Sequence, residues 1–137
     1  MTLEDRKLLL KDLNARLHCG VVVTTANPAV KFGVISGISI KGKISVSTKD
    51  ADIVFDCTEV RPYLRPMSDM TEKEKKEYTS FVFEQPFLQK DKIVGLGSVP
   101  MCIDWLNQHY LDYRGLIEKG LALRAPDGTY NIREQQP

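Results

Sequence analysis

A chain of 137 residues, with 42% apolar and 27% charged side chains, has the size and composition of one folded domain and is too apolar for a disordered segment. The formal net charge of +1 excludes strong global attraction to nucleic acid or anionic membranes and leaves only local patches open. Three separated cysteines, Cys19, Cys57 and Cys102, cannot complete a disulfide framework within one chain and suit the reduced thiols of a cytoplasm.

The opening Met1–Lys7 mixes acids and bases where a signal peptide needs a basic stretch followed by an apolar run, so no export is expected. Apolar runs such as Val21–Val23 are far shorter than the roughly 20 residues needed to span a bilayer. A soluble, cytoplasmic protein without membrane association is expected.

From Thr2 to Leu17, Leu3, Leu9 or Leu10, Leu13 and Leu17 recur at the spacing of an amphipathic helix, with Thr2 as cap, Asp5 three residues on, and Gly20 as stop. Short strands follow at Val21–Thr25, Val30–Ile40, Lys43–Thr48, Ile53–Phe55 and Glu59–Leu64, where β-branched residues alternate with turn formers. Gly42 marks a tight hairpin turn, after which Ile44 and Val46 share one face and Ser45 and Ser47 the other. Pro62 and Pro66 close the sheet. A helix then starts at Ser68 or Thr71 and runs to about Glu84, with Thr71 and Glu74 as a capping box, Glu72–Lys76 and Lys73–Glu77 as surface pairs, and Tyr78, Phe81 and Val82 on its packed side.

Pro86–Gly97 reads as a loop and Ser98–Tyr110 as a helix. Asp112 is expected to cap a short helix through Lys119, stopped by Gly120. The expected class is α+β: an N-terminal helix, a small antiparallel SH3-like β-barrel or curled sheet, and a C-terminal helical segment. Residues 1–66 hold the first helix and barrel, 67–125 the helical segment packed on it, and 126–137 a mobile tail.

Two stretches carry a resemblance: Val60-Arg61-Pro62-Tyr63-Leu64-Arg65-Pro66-Met67-Ser68-Asp69-Met70-Thr71, and Asp104-Trp105-Leu106 followed by Asp112 through Ala122. With the Leu-rich opening helix, they resemble small uncharacterised proteins encoded by prophages and mobile elements of gut anaerobic bacteria. That resemblance implies no activity, cofactor or catalytic residue.

Site chemistry is sparse. His18-Cys19, Cys57, Cys102 and His109 include soft ligands, but zinc sites draw on close pairs such as Cys-x-x-Cys, so no metal site is assigned. Cys102 and His109 stand two helical turns apart and cannot meet as nucleophile and base. No phosphate loop or nucleophile elbow is present, and Gly95-Leu96-Gly97 alone makes no nucleotide site. No enzyme, cofactor or catalytic residue is therefore expected. Lys41, Lys43, Arg61 and Arg65 are candidate phosphate contacts, with Tyr63 available to stack on a base. Trp105, Tyr110, Tyr113 and Arg114 are candidates for a protein interface. Against that stands the reading of Trp105 as core, since a barrel of about 45 residues has little core of its own and needs burial from the helical segment. The leading expectation is a non-enzymatic accessory or adaptor protein of a phage or mobile element acting through protein contacts; the alternative is a small barrel that binds nucleic acid.

Overall fold

The computed structural model describes residues 1–83 and 92–130, and side chains within those ranges apart from residues 81–99. The chain divides into two units, Met1–Leu64 with the returning segment from Arg114 onward, and Arg65–Tyr113. Residues 114–125, expected to belong with the helices, thus belong with the sheet.

In the first unit, helix α1 (Leu3–Arg16) opens on the Thr2/Asp5 capping box, each side chain bonding the other's backbone N–H. Its inward face is Leu9, Asp12, Leu13 and Arg16, while Leu3 stays exposed. A charged pair four residues apart thus shares the buried stripe with two leucines. Asp12 takes two hydrogen bonds from Arg16 and one from Arg114 of the returning segment, at 2.9, 3.2 and 3.3 Å. Pairing of this kind is what makes a fully buried carboxylate tolerable.

Five strands follow: β1 (Val22–Thr25), β2 (Gly33–Ile38), β3 (Lys43–Ser47), β4 (Asp52–Asp56) and β5 (Val60–Leu64). With β6 (Leu123–Arg124) they form one sheet in the order β4-β3-β2-β1-β5-β6. All neighbours are antiparallel except β5 and β6, which run parallel. Of the expected small antiparallel SH3-like barrel or curled sheet, the sheet is present but the closed, wholly antiparallel form is corrected to an open, mixed six-stranded one. The returning segment supplies β6 beside β5, and β4 is the last strand at the other side, so among the described residues no ladder closes the sheet.

The hairpin at Gly42 forms as its sequence dictates, with φ at +85° and Gly42 N–H donating to the Ser39 carbonyl. Ile44 and Val46 are fully buried, while Ser45 and Ser47 lie on the opposite face. The sheet has its own core. Leu9 and Leu13 of α1, Val21, Val23, Ile44, Val46, Val60 and Leu64 join Leu116, Leu121 and Ala122 in one cluster.

The C-terminal stretch is not a free tail as far as Tyr130. Tyr130 Oη accepts from Val22 N–H at 3.0 Å and donates to the Tyr63 carbonyl at 2.7 Å, standing in for a ladder bond where β1 and β5 part. Residues 131–137 lie outside the described residues. The helix expected from Asp112 to Lys119 is a run of turns instead. Gly115 takes positive φ within that stretch, which a right-handed helix does not permit, while Gly120 has the positive φ expected of a stop.

In the second unit, α2 (Glu72–Phe83) begins at Thr71 with the expected box: Thr71 N–H donates to Glu74 at 2.9 Å and Glu74 N–H to Thr71 Oγ1 at 3.1 Å. Glu72 pairs with Lys75, three residues on, at 3.2 Å. Helix α3 (Lys92–Gln108) starts six residues before the expected Ser98, so 92–97 is helical and the remainder of the expected loop lies outside the described residues. Glycine lowers helix propensity by about 1 kcal/mol without forbidding it, which is why Gly95 and Gly97 mislead. The contributions of Phe81 and Val82 lie outside the described side chains. Trp105, Leu106 and Leu111 form the second unit's cluster, joined by Met70, Tyr78, Ile103 and Tyr113. Among the described residues, no helix is long and apolar enough to cross a membrane.

Candidate functional site

The five residues proposed to contact nucleic acid do not form one patch. Arg65 is committed to structure: its guanidinium grips Glu74 through two bonds of 2.7 and 2.8 Å, and also donates to the carbonyls of His109 and Asp69. Lys43 Nζ lies 3.6 Å from Asp56. That carboxylate also takes two hydrogen bonds from Arg6 and further bonds from Thr58, which hold it well below the usual carboxylate range. Lys41 is exposed in the β2–β3 turn, and its carbonyl accepts from Arg6.

Arg61 sits elsewhere. The register pairs it with Thr24 on β1, and counting through Val23–Gly33 and Val34–Ser47 places it level with position 49, six residues from Lys43 along β3. At about 3.3 Å per residue the two cations are about 20 Å apart along the strand direction alone. Two cations of one hairpin, one of them already paired, and a third about 20 Å away form a poor track for a phosphate backbone.

The protein-interface candidates are drawn inward. Trp105 and Tyr110 are 6% and 8% exposed. Trp105 stacks on His109 with ring centroids 4.0 Å apart, and Tyr78 tilts against it at 5.6 Å. Tyr110 ends α3 with φ at +59°, a left-handed conformation that few non-glycine residues adopt, and its carbonyl accepts from Arg65 N–H. Tyr113 Oη donates to Asn107, and Arg114 bonds Asp12.

No family model, curated protein or solved structure matches the chain.

What the fold does assemble is a face on the outer side of the sheet around Phe32 and Tyr63. Tyr63 on β5 is half-buried beneath Phe32, ring centroids 5.7 Å apart, and Phe32 is 59% exposed. Val34, two residues on along β2, is also exposed and pairs with Val22 of β1. Beyond it lie Ser36, Ser45 and Ser47, and then exposed Val54 on β4. Gly33 explains why Phe32 stands outward: a side chain at that position would collide with Val46 Cγ1, so β2 is pressed against β3 there and its neighbours alternate away from the core. Period-2 alternation of Phe32, Val34 and Ser36 against Gly33 and Ile35 is the sequence signal that identifies this face.

Pockets and metal clusters offer less. A small open cleft of 240 Å³ lies between Thr24, Thr58, Glu59 and Arg61, below the roughly 300–1,000 Å³ usual for ligand sites. Among the described residues, no group of three His, Cys, Asp or Glu side chains gathers as a metal would require. Cys57 is fully buried, and burial pushes its thiol above the ordinary value, away from the nucleophilic thiolate.

Proposed function

We propose that this chain is a non-enzymatic, cytoplasmic adaptor that works through protein contacts, taking its partner on the outer face of the sheet around Phe32 and Tyr63. The observation that carries the reading is the aromatic and valine surface of exposed Phe32 and Val34 with half-buried Tyr63 and Val22, spread over three adjacent strands and flanked by Arg61. Aromatic residues and arginine are the groups that dominate protein interfaces, and an apolar surface of this kind gains by leaving water. Nucleic-acid binding through a small SH3-like sheet is the second reading, and Arg61 with the Phe32–Tyr63 platform is what favours it. The dispersal of Lys41 and Lys43 and the burial of Arg65 weigh against it. A setting in a phage or mobile element rests only on the resemblance of the Leu-rich opening helix, the 60–71 stretch, and 104–106 with 112–122.

Capture from the native host with the parent chain and with Phe32→Asp, analysing protein and nucleic acid in parallel, tests the reading. The parent should retain a discrete protein that Phe32→Asp loses by tenfold or more, because a charge at a desolvated anchor costs several kcal/mol. Salt-sensitive nucleic acid in place of protein overturns it.

A further inference from the structure

β1 and β5 part at the centre of the face proposed for the partner. Ala26 N–H donates to the Glu59 carbonyl at 2.8 Å, so that antiparallel pair is a bonded one. Alternation makes Thr24–Arg61 and then Val22–Tyr63 the next bonded positions, with Thr25–Val60 and Val23–Pro62 between them. On the other side of β1, Ile35 N–H bonds the Val21 carbonyl, which leaves both backbone groups of Val22 facing β5. At Val22–Tyr63 an oxygen from elsewhere in the chain stands between the strands. Tyr130 Oη accepts from Val22 N–H at 3.0 Å and donates to the Tyr63 carbonyl at 2.7 Å. Two bonds in series allow a gap up to about twice the roughly 2.9 Å of a direct ladder bond. Beyond it Arg65 turns to other partners, Tyr110 and Asp112, so Val22–Tyr63 is the last position at which the two strands can meet.

The side chains that flank this gap belong to the face itself. Val21, Val23 and Leu64 are fully buried, so Val22 and Tyr63 alternate to the outer side, where the Phe32 ring lies 5.7 Å from that of Tyr63. The approach of Tyr130 is also fixed by the chain. Ala125 N–H bonds the Leu64 carbonyl, and Thr129 N–H bonds the Pro126 carbonyl across a turn that Pro126-Asp127-Gly128 favours. We infer that Tyr130 is a positioning residue for the partner face: its hydroxyl sets the opening between β1 and β5 and so fixes where the Tyr63 ring meets Phe32. The inference rests on the reading of that face as the partner site. Phenylalanine at 130 keeps the ring and the turn but removes the bridge. Val22 N–H and the Tyr63 carbonyl are then free to close on each other, which satisfies both groups and draws Tyr63 towards β1 and away from Phe32.

Nuclear magnetic resonance on the full chain, parent beside Tyr130→Phe, is the test. The parent should show ring-to-ring contacts between Phe32 and Tyr63. In Tyr130→Phe those contacts should be lost, and a scalar coupling across a new Val22 N–H to Tyr63 carbonyl hydrogen bond should appear. Capture of the host protein should fall about fivefold, what one net hydrogen bond is worth. A merely structural role would lower the melting temperature and leave capture by the folded variant unchanged. The ring contacts decide: if Tyr130→Phe retains them, the inference is overturned, whether the strands have closed or a water has taken the place of the hydroxyl. Should the parent capture no protein, the partner reading falls, and the ring contacts still decide whether Tyr130 positions Tyr63.

Discussion

Replacing Arg65 with alanine is expected to destabilise the helical unit by about 3–5 kcal/mol, the range for stranding one member of a buried ion pair. Glu74 is 0% exposed and its carboxylate receives both arms of the Arg65 guanidinium together with Thr71 N–H. Without Arg65 that charge has no counterion in the pair, and the carbonyls of His109 and Asp69 lose a donor as well. Burial alone pushes the Glu74 carboxyl up, but the Arg65 and Thr71 hydrogen bonds outweigh it and leave the group below the ordinary glutamate range. A carboxyl held lower in the folded than in the unfolded chain contributes stability that is complete above the unfolded value. That stability is lost as pH falls through the folded value. Urea melts across the acid range should show the parent weakening there and Glu74→Gln, which cannot ionise, varying less with pH. A parent and a Glu74→Gln variant with the same pH dependence would refute this.

The second large effect is expected at Trp105→Ala, again about 3–5 kcal/mol, the usual cost of emptying a buried aromatic site. The indole packs in a cluster with Leu106, Leu111, Met70 and Tyr78 and stacks on His109, whose Nδ1 lies 2.8 Å from the Trp105 carbonyl. Denaturant melts followed by circular dichroism, which does not depend on the lost indole, measure the change. A variant as stable as its parent would show that the indole is an exposed anchor, not core.

Legibility from sequence follows the range of the interactions. The Thr2/Asp5 and Thr71/Glu74 boxes and the Gly42 turn need only a few neighbouring residues, and the structure contains all three. The five strands fall within two or three residues of their expected bounds because alternation is local too. What failed was non-local. Nothing near Leu123 announces that it returns to pair with Tyr63, and nothing near Arg65 announces Glu74 nine residues away as its counterion. Residue type alone accordingly makes Arg65 a candidate phosphate contact. Asp12 and Arg16 were legible in principle, since they share the Leu9–Leu13 stripe at the right spacing, but charged residues on a helix are ordinarily assigned to the solvated side. For the proposed face, residue type alone marks Tyr63 and Arg61, as nucleic-acid contacts. Phe32 does not stand out in the Val30–Ile40 run because its outward position depends on the close approach of Gly33 to Val46, a non-local contact.

The most direct test of the adaptor reading is photo-crosslinking from the sheet face itself. With Phe32 replaced by p-benzoylphenylalanine, and the same group at exposed Glu118 as control, irradiation in the native host should join position 32 to one discrete protein and the control to none. A crosslink from position 32 to nucleic acid, or the same weak, unspecific products from both positions, would contradict a protein-binding role for this face.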